Sequence, residues 1–336
     1  MLQLSVLDQS PIREGGTAAQ ALRETVALAQ AADRLGYTRF WVAEHHGSGG
    51  LASAAPEILI GEIAAATRRI RVGSGGVMLS HYSSLKVAEQ FRTLEAFHPG
   101  RIDLGVGRAP GGSQLASAAL AHGPGALPLD HYPEQVHDLV LYLSDALPEG
   151  HRFHGMQATP IVESIPQVWC LGSSLDSALI AAQVGLPFSF AQFINPEAGP
   201  RAVKLYRERF RPSAWCPEPK VSVGISAIAA PTEEEAIRLS WSRYCWRFRR
   251  GGIPTVETAM EFQYSDAELA YIEYSRPLAA IGTSEQVRAK IEATAEQLTA
   301  DEVVLLTITY DFADRVRSYE LIADAFGLPA TAEAAG

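Results

Sequence analysis

Ile70-Arg71-Val72-Gly73-Ser74-Gly75-Gly76-Val77-Met78-Leu79 reads as a strand. Ser84 to Phe97 then carries apolar residues at helical spacing, and Arg101-Ile102-Asp103-Leu104-Gly105-Val106 is a second short apolar run. Strand, helix and strand at this spacing form a crossover unit, the connection that two parallel strands require. The same rhythm extends in both directions. Before it come a β-compatible run at Leu2 to Leu7, a helix at Ala18 to Leu35 that stops at Gly36, a strand at Arg39 to Ala43, and a helix from Pro56 to about Arg69. Proline suits a first helical turn and glycine a helix end. After it, helical character returns at Tyr132 to Leu147. Strands follow at Gln167 to Leu171, Leu186 to Phe193, Val221 to Ala229 and Glu302 to Thr309. Helices are expected at Ser174 to Val184, Pro196 to Phe210, Thr232 to Arg249, Ser284 to Leu298 and Phe312 to Phe326.

Eight strands alternating with helices predict the α/β class and a closed (β/α)8 TIM barrel. The competing arrangement is a doubly wound open sheet with a second domain. No linker-like stretch divides the chain, so residues 1–336 are read as a single domain. Two segments break the rhythm and are expected to be irregular insertions. One is 109–131, rich in Gly, Ala and Pro, after the fourth strand; the other is 251–282, before the last helix–strand unit.

The formal net charge of -10 opposes a general nucleic-acid or membrane-surface partner, because phosphates would repel it. Cys170, Cys216 and Cys245 fit neither a disulfide framework nor a zinc motif, which points to a reducing compartment. No basic-then-apolar leader and no membrane-length apolar run are visible, so the expectation is a cytoplasmic protein.

In a parallel barrel, chemistry concentrates where strands end and the following loops begin. Four clusters fall at such ends and should share one rim. Glu44-His45-His46 closes the second strand; neutral imidazoles there could exchange protons with a bound ring near neutral pH. No HExxH pattern is present, and neighbouring histidines on a strand point apart, so no metal site is expected. Gly75-Gly76 lets a flat ligand approach the backbone, or marks a plain tight turn. Arg108 suits a phosphate or carboxylate, or a surface ion pair. Gly172-Ser173-Ser174, with Ser177 one turn on, reads as a helix N-terminus, which is either an anion site or an ordinary serine cap. Arg108 and this loop together suggest one phosphate clamp. A basic stretch, Arg243-Tyr244-Cys245-Trp246-Arg247-Phe248-Arg249-Arg250, falls at an expected helix end, where positive charge is favoured anyway.

These clusters also carry a resemblance. Trp41-Val42-Ala43-Glu44-His45-His46, Val72-Gly73-Ser74-Gly75-Gly76-Val77-Met78-Leu79 and Ala88-Glu89-Gln90-Phe91 resemble segments of the bacterial luciferase-like flavin monooxygenases. Pro99-Gly100-Arg101-Ile102-Asp103-Leu104-Gly105-Val106-Gly107-Arg108 and Ala280-Ile281-Gly282-Thr283 do so too. The likeness runs nearly the full length and is closest to the single-subunit branch. It implies a barrel that binds reduced FMN at its C-terminal rim, supplied by a separate flavin reductase, with O2 activated as a flavin C4a-peroxide that oxidises a small organic substrate. By that likeness Glu44, His45 and His46 are the catalytic cluster, with His45 near the flavin. Gly75-Gly76 forms a non-proline cis peptide beneath the ring, and Arg108, Gly172, Ser173, Ser174 and Ser177 hold the phosphate. It also implies a homodimer formed through the first helices, where Ala27, Ala31, Ala64 and Ala65 would permit close packing.

Two departures stand out. Gly107 replaces a cysteine of the light-emitting enzymes, and 251–282 is unlike their mobile lid. Relatives that use the deazaflavin F420 transfer hydride without oxygen, so an F420-dependent oxidoreductase is the alternative enzyme and a non-catalytic flavin-binding barrel the alternative outside catalysis. The substrate pocket should be walled by 109–131 and 251–282, which match no readable pattern.

Overall fold

The computed structural model describes residues 2–108, 112–121, 127–249 and 251–330. Among them nine strands form: β1 (Gln3–Asp8), β2 (Arg39–Val42), β3 (Arg71–Met78), β4 (Ile102–Gly107), β5 (Gln167–Gly172), β6 (Phe188–Ala191), β7 (Val221–Ala229), β8 (Ala280–Gly282) and β9 (Glu302–Leu306). The parallel pairings run from β1 in order to β7. β7 then pairs with β9, and β9 returns to β1 through Gln3 opposite Glu302. The eight strands β1 to β7 and β9 thus close into a (β/α)8 barrel, and the open-sheet alternative is excluded. The ninth, β8, was not expected. It lengthens the wall by pairing with the far end of β7, at Ala227 to Ala229.

The helices α1 (Ala18–Leu35), α2 (Pro56–Ala66), α3 (Ser84–Phe97), α5 (Tyr132–Ser144), α6 (Leu175–Val184), α7 (Gly199–Arg209), α8 (Glu233–Phe248), α11 (Ser284–Gln297) and α12 (Phe312–Phe326) match expected helices to within a few residues. Three more lie in segments read as irregular. The first is α4 (Gln114–Leu120), between residues 109–111 and 122–126, which lie outside the described residues. It buries none of its residues, so no apolar stripe announced it. The others are α9 (Val256–Glu261) and α10 (Asp266–Ser275). Here a signal was present: Ser265 and Glu268 form a capping box, the serine oxygen accepting from the Glu268 N–H and the glutamate reaching back.

Alternation along the strands sorts the core. Leu4 and Val6 of β1, Phe40 and Val42 of β2, Val168 and Cys170 of β5, and Val303 and Leu305 of β9 face the helices in one large apolar cluster. Leu7, Trp41, Trp169 and Val304, one residue out of phase, fill the barrel with Ala43. Trp41 and Trp169 meet edge to face with centroids 5.5 Å apart.

Below the tryptophans the interior is charged. Arg39 Nη1 donates to Asp103 at 2.8 Å and its Nε to Glu302 at 2.7 Å, with both carboxylates fully buried. Asp103 also accepts from Arg71 at 2.7 Å and from the Trp41 indole at 3.0 Å, while Ser5 donates to Glu302 at 2.5 Å. Burial opposes the Arg39 charge, but the two carboxylates outweigh it and raise its pKa. This network plugs the N-terminal end of the barrel, so a ligand is received at the opposite rim.

Candidate active site

At the C-terminal rim Glu44 is almost completely buried, and its carboxylate is fully engaged. One oxygen accepts from the Tyr82 hydroxyl at 2.7 Å and lies 2.6 Å from His46 Nε2; the other accepts from the Met78 N–H at 2.9 Å. One side chain therefore ties the end of β2 to the end of β3. Burial, reinforced by the Glu44 carboxylate, raises the Tyr82 pKa, which keeps the phenol a proton donor at any working pH.

His45 is used differently. Its backbone N–H donates to the Ser53 carbonyl at 2.8 Å, but its Nδ1 is buried with no hydrogen-bond partner. Burial lowers its pKa, with Glu44 opposing and His46 adding to the shift, so the imidazole is neutral at pH 7. His45 lies on the wall of a cavity of about 900 Å3 that Gln9, Phe193, Leu306 and Ile308 also line. A buried polar atom without a partner beside a cavity is the arrangement that a bound polar ligand completes.

Gly75-Gly76 is a cis peptide. The pair lies inside β3 rather than at its end or in a tight turn: the strand continues to Met78, and pairing with β4 skips from Gly75 opposite Gly105 to Val77 opposite Val106. A Cβ on Gly76 would stand 2.7 Å from the Gly105 carbonyl oxygen, so a side chain cannot be accommodated there without moving backbone. On β4, a Cβ at Gly107 would meet only the Met78 sulfur, at 3.9 Å.

Arg108 and the serine loop are brought together. Arg108 lies 3.6 Å from Asp176 in the first turn of α6, an ion pair between partly and largely exposed side chains. Ser174 caps α6 and forms a reciprocal capping box with Ser177. The loop is thus a serine cap, and Arg108 stands beside the same first turn. The Ser173 carbonyl accepts from Asn195 Nδ2 at 3.0 Å, which anchors the loop to the β6 side. Gly172 is required by the packing, since a Cβ there would lie 2.1 Å from Ser177 Oγ.

The sequence reading missed Tyr82, which follows the third strand with no motif of its own. It also missed that Arg243 and Arg247 line the cavity; their spacing of one helical turn on α8 was the available signal. No group of three or more metal-ligating side chains occurs among the described residues.

A closed parallel barrel carries a His-lined cavity at its C-terminal rim, the end where small-molecule enzymes of this fold place their chemistry. Residues 2–302 match the luciferase-like monooxygenase family, and the chain belongs to it. It is 47% identical to the uncharacterized protein YwcH of Bacillus subtilis, over 97% of this chain and 99% of that one. It is 40% identical to the N-acetyl-S-alkylcysteine monooxygenase of the same organism, over 97% and 98% of the two chains. The crystal structure of apo-MsnO8 superimposes with a TM-score of 0.90 at 38% identity, covering 98% of this chain and 100% of that one. More distant barrels that share the fold bind FMN or F420.

Proposed function

We propose that the protein is an FMN-dependent monooxygenase, taking reduced FMN from a separate flavin reductase and using O2 to oxidise a small organic substrate. The observation that carries the reading is the neutral, buried His45 with an unpartnered nitrogen on the wall of the rim cavity. The cavity is within the size range of cofactor sites. The rim residues fit a flavin: His45 offers its free nitrogen to a polar ring edge, Gly76 leaves the backbone bare, and Arg108 with Gly172, Ser173, Ser174 and Ser177 would hold the phosphate. Reduced FMN, when bound, supplies the two electrons with which O2 is divided, one oxygen atom going to substrate and the other to water. The chain's own residues orient and enclose. Glu44 fixes Tyr82, His46 and the Met78 backbone, and Tyr82 remains protonated as a donor. His45 accepts or returns a proton at its ring nitrogen. The apolar walls at Phe193, Leu306 and Ile308 exclude water.

The relative named for N-acetyl-S-alkylcysteines acts on a thioether bearing an amide and a carboxylate, and a substrate of that size and polarity suits this cavity. An F420-dependent barrel that shares the fold is 16% identical, against 40% for a relative named as a monooxygenase, which favours the monooxygenase reading. A single domain, a cytoplasmic location and a homodimer belong to the same proposal. For the dimer the alanine argument needs amendment: Ala31 and Ala64 are buried within the monomer, Ala27 is half-buried and Ala65 exposed. The exposed apolar groups there are Ile58 on α2 and Phe97 on α3, 74% and 76% accessible.

Turnover with FMN, a flavin reductase, NADH and 18O2 over a panel of thioethers and aldehydes tests the reading. Expected are tighter binding of reduced FMN than of reduced F420 and one labelled oxygen per product. Preference for F420, or unlabelled product, contradicts it.

A further inference from the structure

The acidic protein carries a cationic cavity. The wall of the 900 Å3 cavity includes Arg243, Arg247 and Arg249 but no Asp or Glu among the described residues, although the chain's net charge is -10. Arg249 is neutralised by Glu14 at 3.0 Å. Arg243 and Arg247 form no ion pair among the described residues. They rest instead on aromatic faces, Arg243 5.3 Å from the Tyr244 ring and Arg247 4.5 Å from the Tyr271 ring. Burial pulls the Arg243 pKa down, and the groups acting on its charge are Tyr244, Tyr271 and Arg247, none of them a carboxylate. Arg243 is half-buried and Arg247 exposed, and with no carboxylate partner both are free to take an anionic ligand.

The same two arginines line a second, smaller pocket of about 230 Å3, which shares Phe193, Ile194 and Tyr271 with the first. Arg243 and Arg247 therefore stand at the junction of the two. The carboxylate on the smaller wall, Glu197, accepts from the Tyr274 hydroxyl at 3.0 Å and reaches neither arginine. Ser226 lines this pocket too, and its Oγ is buried with no partner. Two guanidinium groups and a free hydroxyl match a carboxylate. The phosphate site proposed above belongs to the ends of β4 and β5, whereas these arginines face the β6 and β9 side of the cavity, at Phe193 and Leu306.

We infer that the substrate is an organic carboxylate and that Arg243, seconded by Arg247, fixes its charged end at the junction of the two pockets. The inference rests on the reading of the rim cavity as a flavin monooxygenase site and sets its specificity. An acid is selected over its neutral amide or ester, while the remaining body of the substrate lies toward His45.

The test is calorimetric titration of FMN-loaded wild type, Arg243→Met, Arg243→Lys and Arg247→Met with matched probes. These are N-acetyl-S-benzylcysteine and 3-phenylpropionate, each against its primary amide. FMN and riboflavin affinities are measured in parallel by fluorescence quenching. Wild type should bind at least one acid about 10-fold more tightly than its amide, a difference of about 1.4 kcal/mol. Arg243→Met should abolish the preference, Arg243→Lys retain part of it, and Arg247→Met weaken it. Arg243→Met should melt close to wild type, since it breaks no ion pair among the described residues. The inference is overturned if wild type binds no acid in preference to its amide, if Arg243→Met keeps the preference, or if that variant melts well below wild type. It is also overturned if Arg243→Met loses FMN affinity but keeps riboflavin affinity, which would assign the guanidinium to the cofactor phosphate. Failure of wild type to bind FMN refutes the flavin reading instead, and the acid–amide comparison on unloaded protein still decides the role of Arg243.

Discussion

Replacing Arg39 by methionine isolates the charged plug at the base of the barrel. The guanidinium bridges Asp103 at 2.8 Å and Glu302 at 2.7 Å, all three side chains being at most 3% exposed. Without it Asp103 keeps Arg71 and Trp41, but Glu302 keeps only Ser5 and already has one oxygen without a partner. Removing one member of a buried ion pair costs about 3–5 kcal/mol, because the other charge is stranded in a low-dielectric site. At about 2.1 cal/mol/K of unfolding entropy per residue, a chain of 336 residues has roughly 0.7 kcal/mol/K, so the melting temperature should fall by about 4–7 °C. Urea unfolding followed by circular dichroism at 222 nm measures the loss directly. Adding Glu302→Gln should return about half of it, since the stranded charge is gone and only hydrogen bonds remain unmade. A loss below about 1 kcal/mol for Arg39→Met, or no recovery in the double variant, refutes the argument that the plug is a charge-balanced unit.

Three further outcomes are expected. Glu44→Gln disturbs the hydrogen bonds to Tyr82 and Met78 and the contact with His46, and should cost about 2 kcal/mol in urea midpoint analysis together with most of the turnover. Arg108→Met should weaken FMN about 10-fold and leave riboflavin, which lacks the phosphate, unchanged in the same fluorescence titration. His45 has a folded pKa below its unfolded value near 6.5, so the unfolded chain binds its proton first. Its contribution to stability is complete above that value and is lost as pH falls from it toward the folded pKa. Melting curves between pH 7.5 and about 5 should show this loss in wild type and a smaller one in His45→Asn.

The barrel was legible because its strands and helices obey different periods. β7 is continuously buried and α1 carries an apolar stripe, and each is bounded by a recognisable cap or turn. Two elements stayed hidden for different reasons: α4 buries nothing, and β8, although mostly buried, is only three residues long. The strand-end rule located the Glu44 cluster and Arg108, because parallel strands carry all such ends to one rim. It could not distribute the roles within the cluster. Glu44 spends both oxygens and His46 its Nε2 on the protein, while His45 Nδ1 is left without a partner, and only packing decides that. Nor could it see that Arg243 and Arg247 of α8 line the cavity. Charge at a helix C-terminus suits solvent and cavity equally well in sequence, and the choice is made by where α8 and α10 lie over the barrel mouth.

Hydrogen exchange with and without anaerobically reduced FMN tests the central claim most directly. Slower exchange is predicted at the C-terminal rim, in the backbone around His45, at Gly76 to Met78, and through the Ser173 to Ser177 turn, with the barrel floor around Arg39 unchanged. Unaltered exchange at all three rim segments, or protection confined to another face, would contradict the placement of the flavin and with it the proposed reaction.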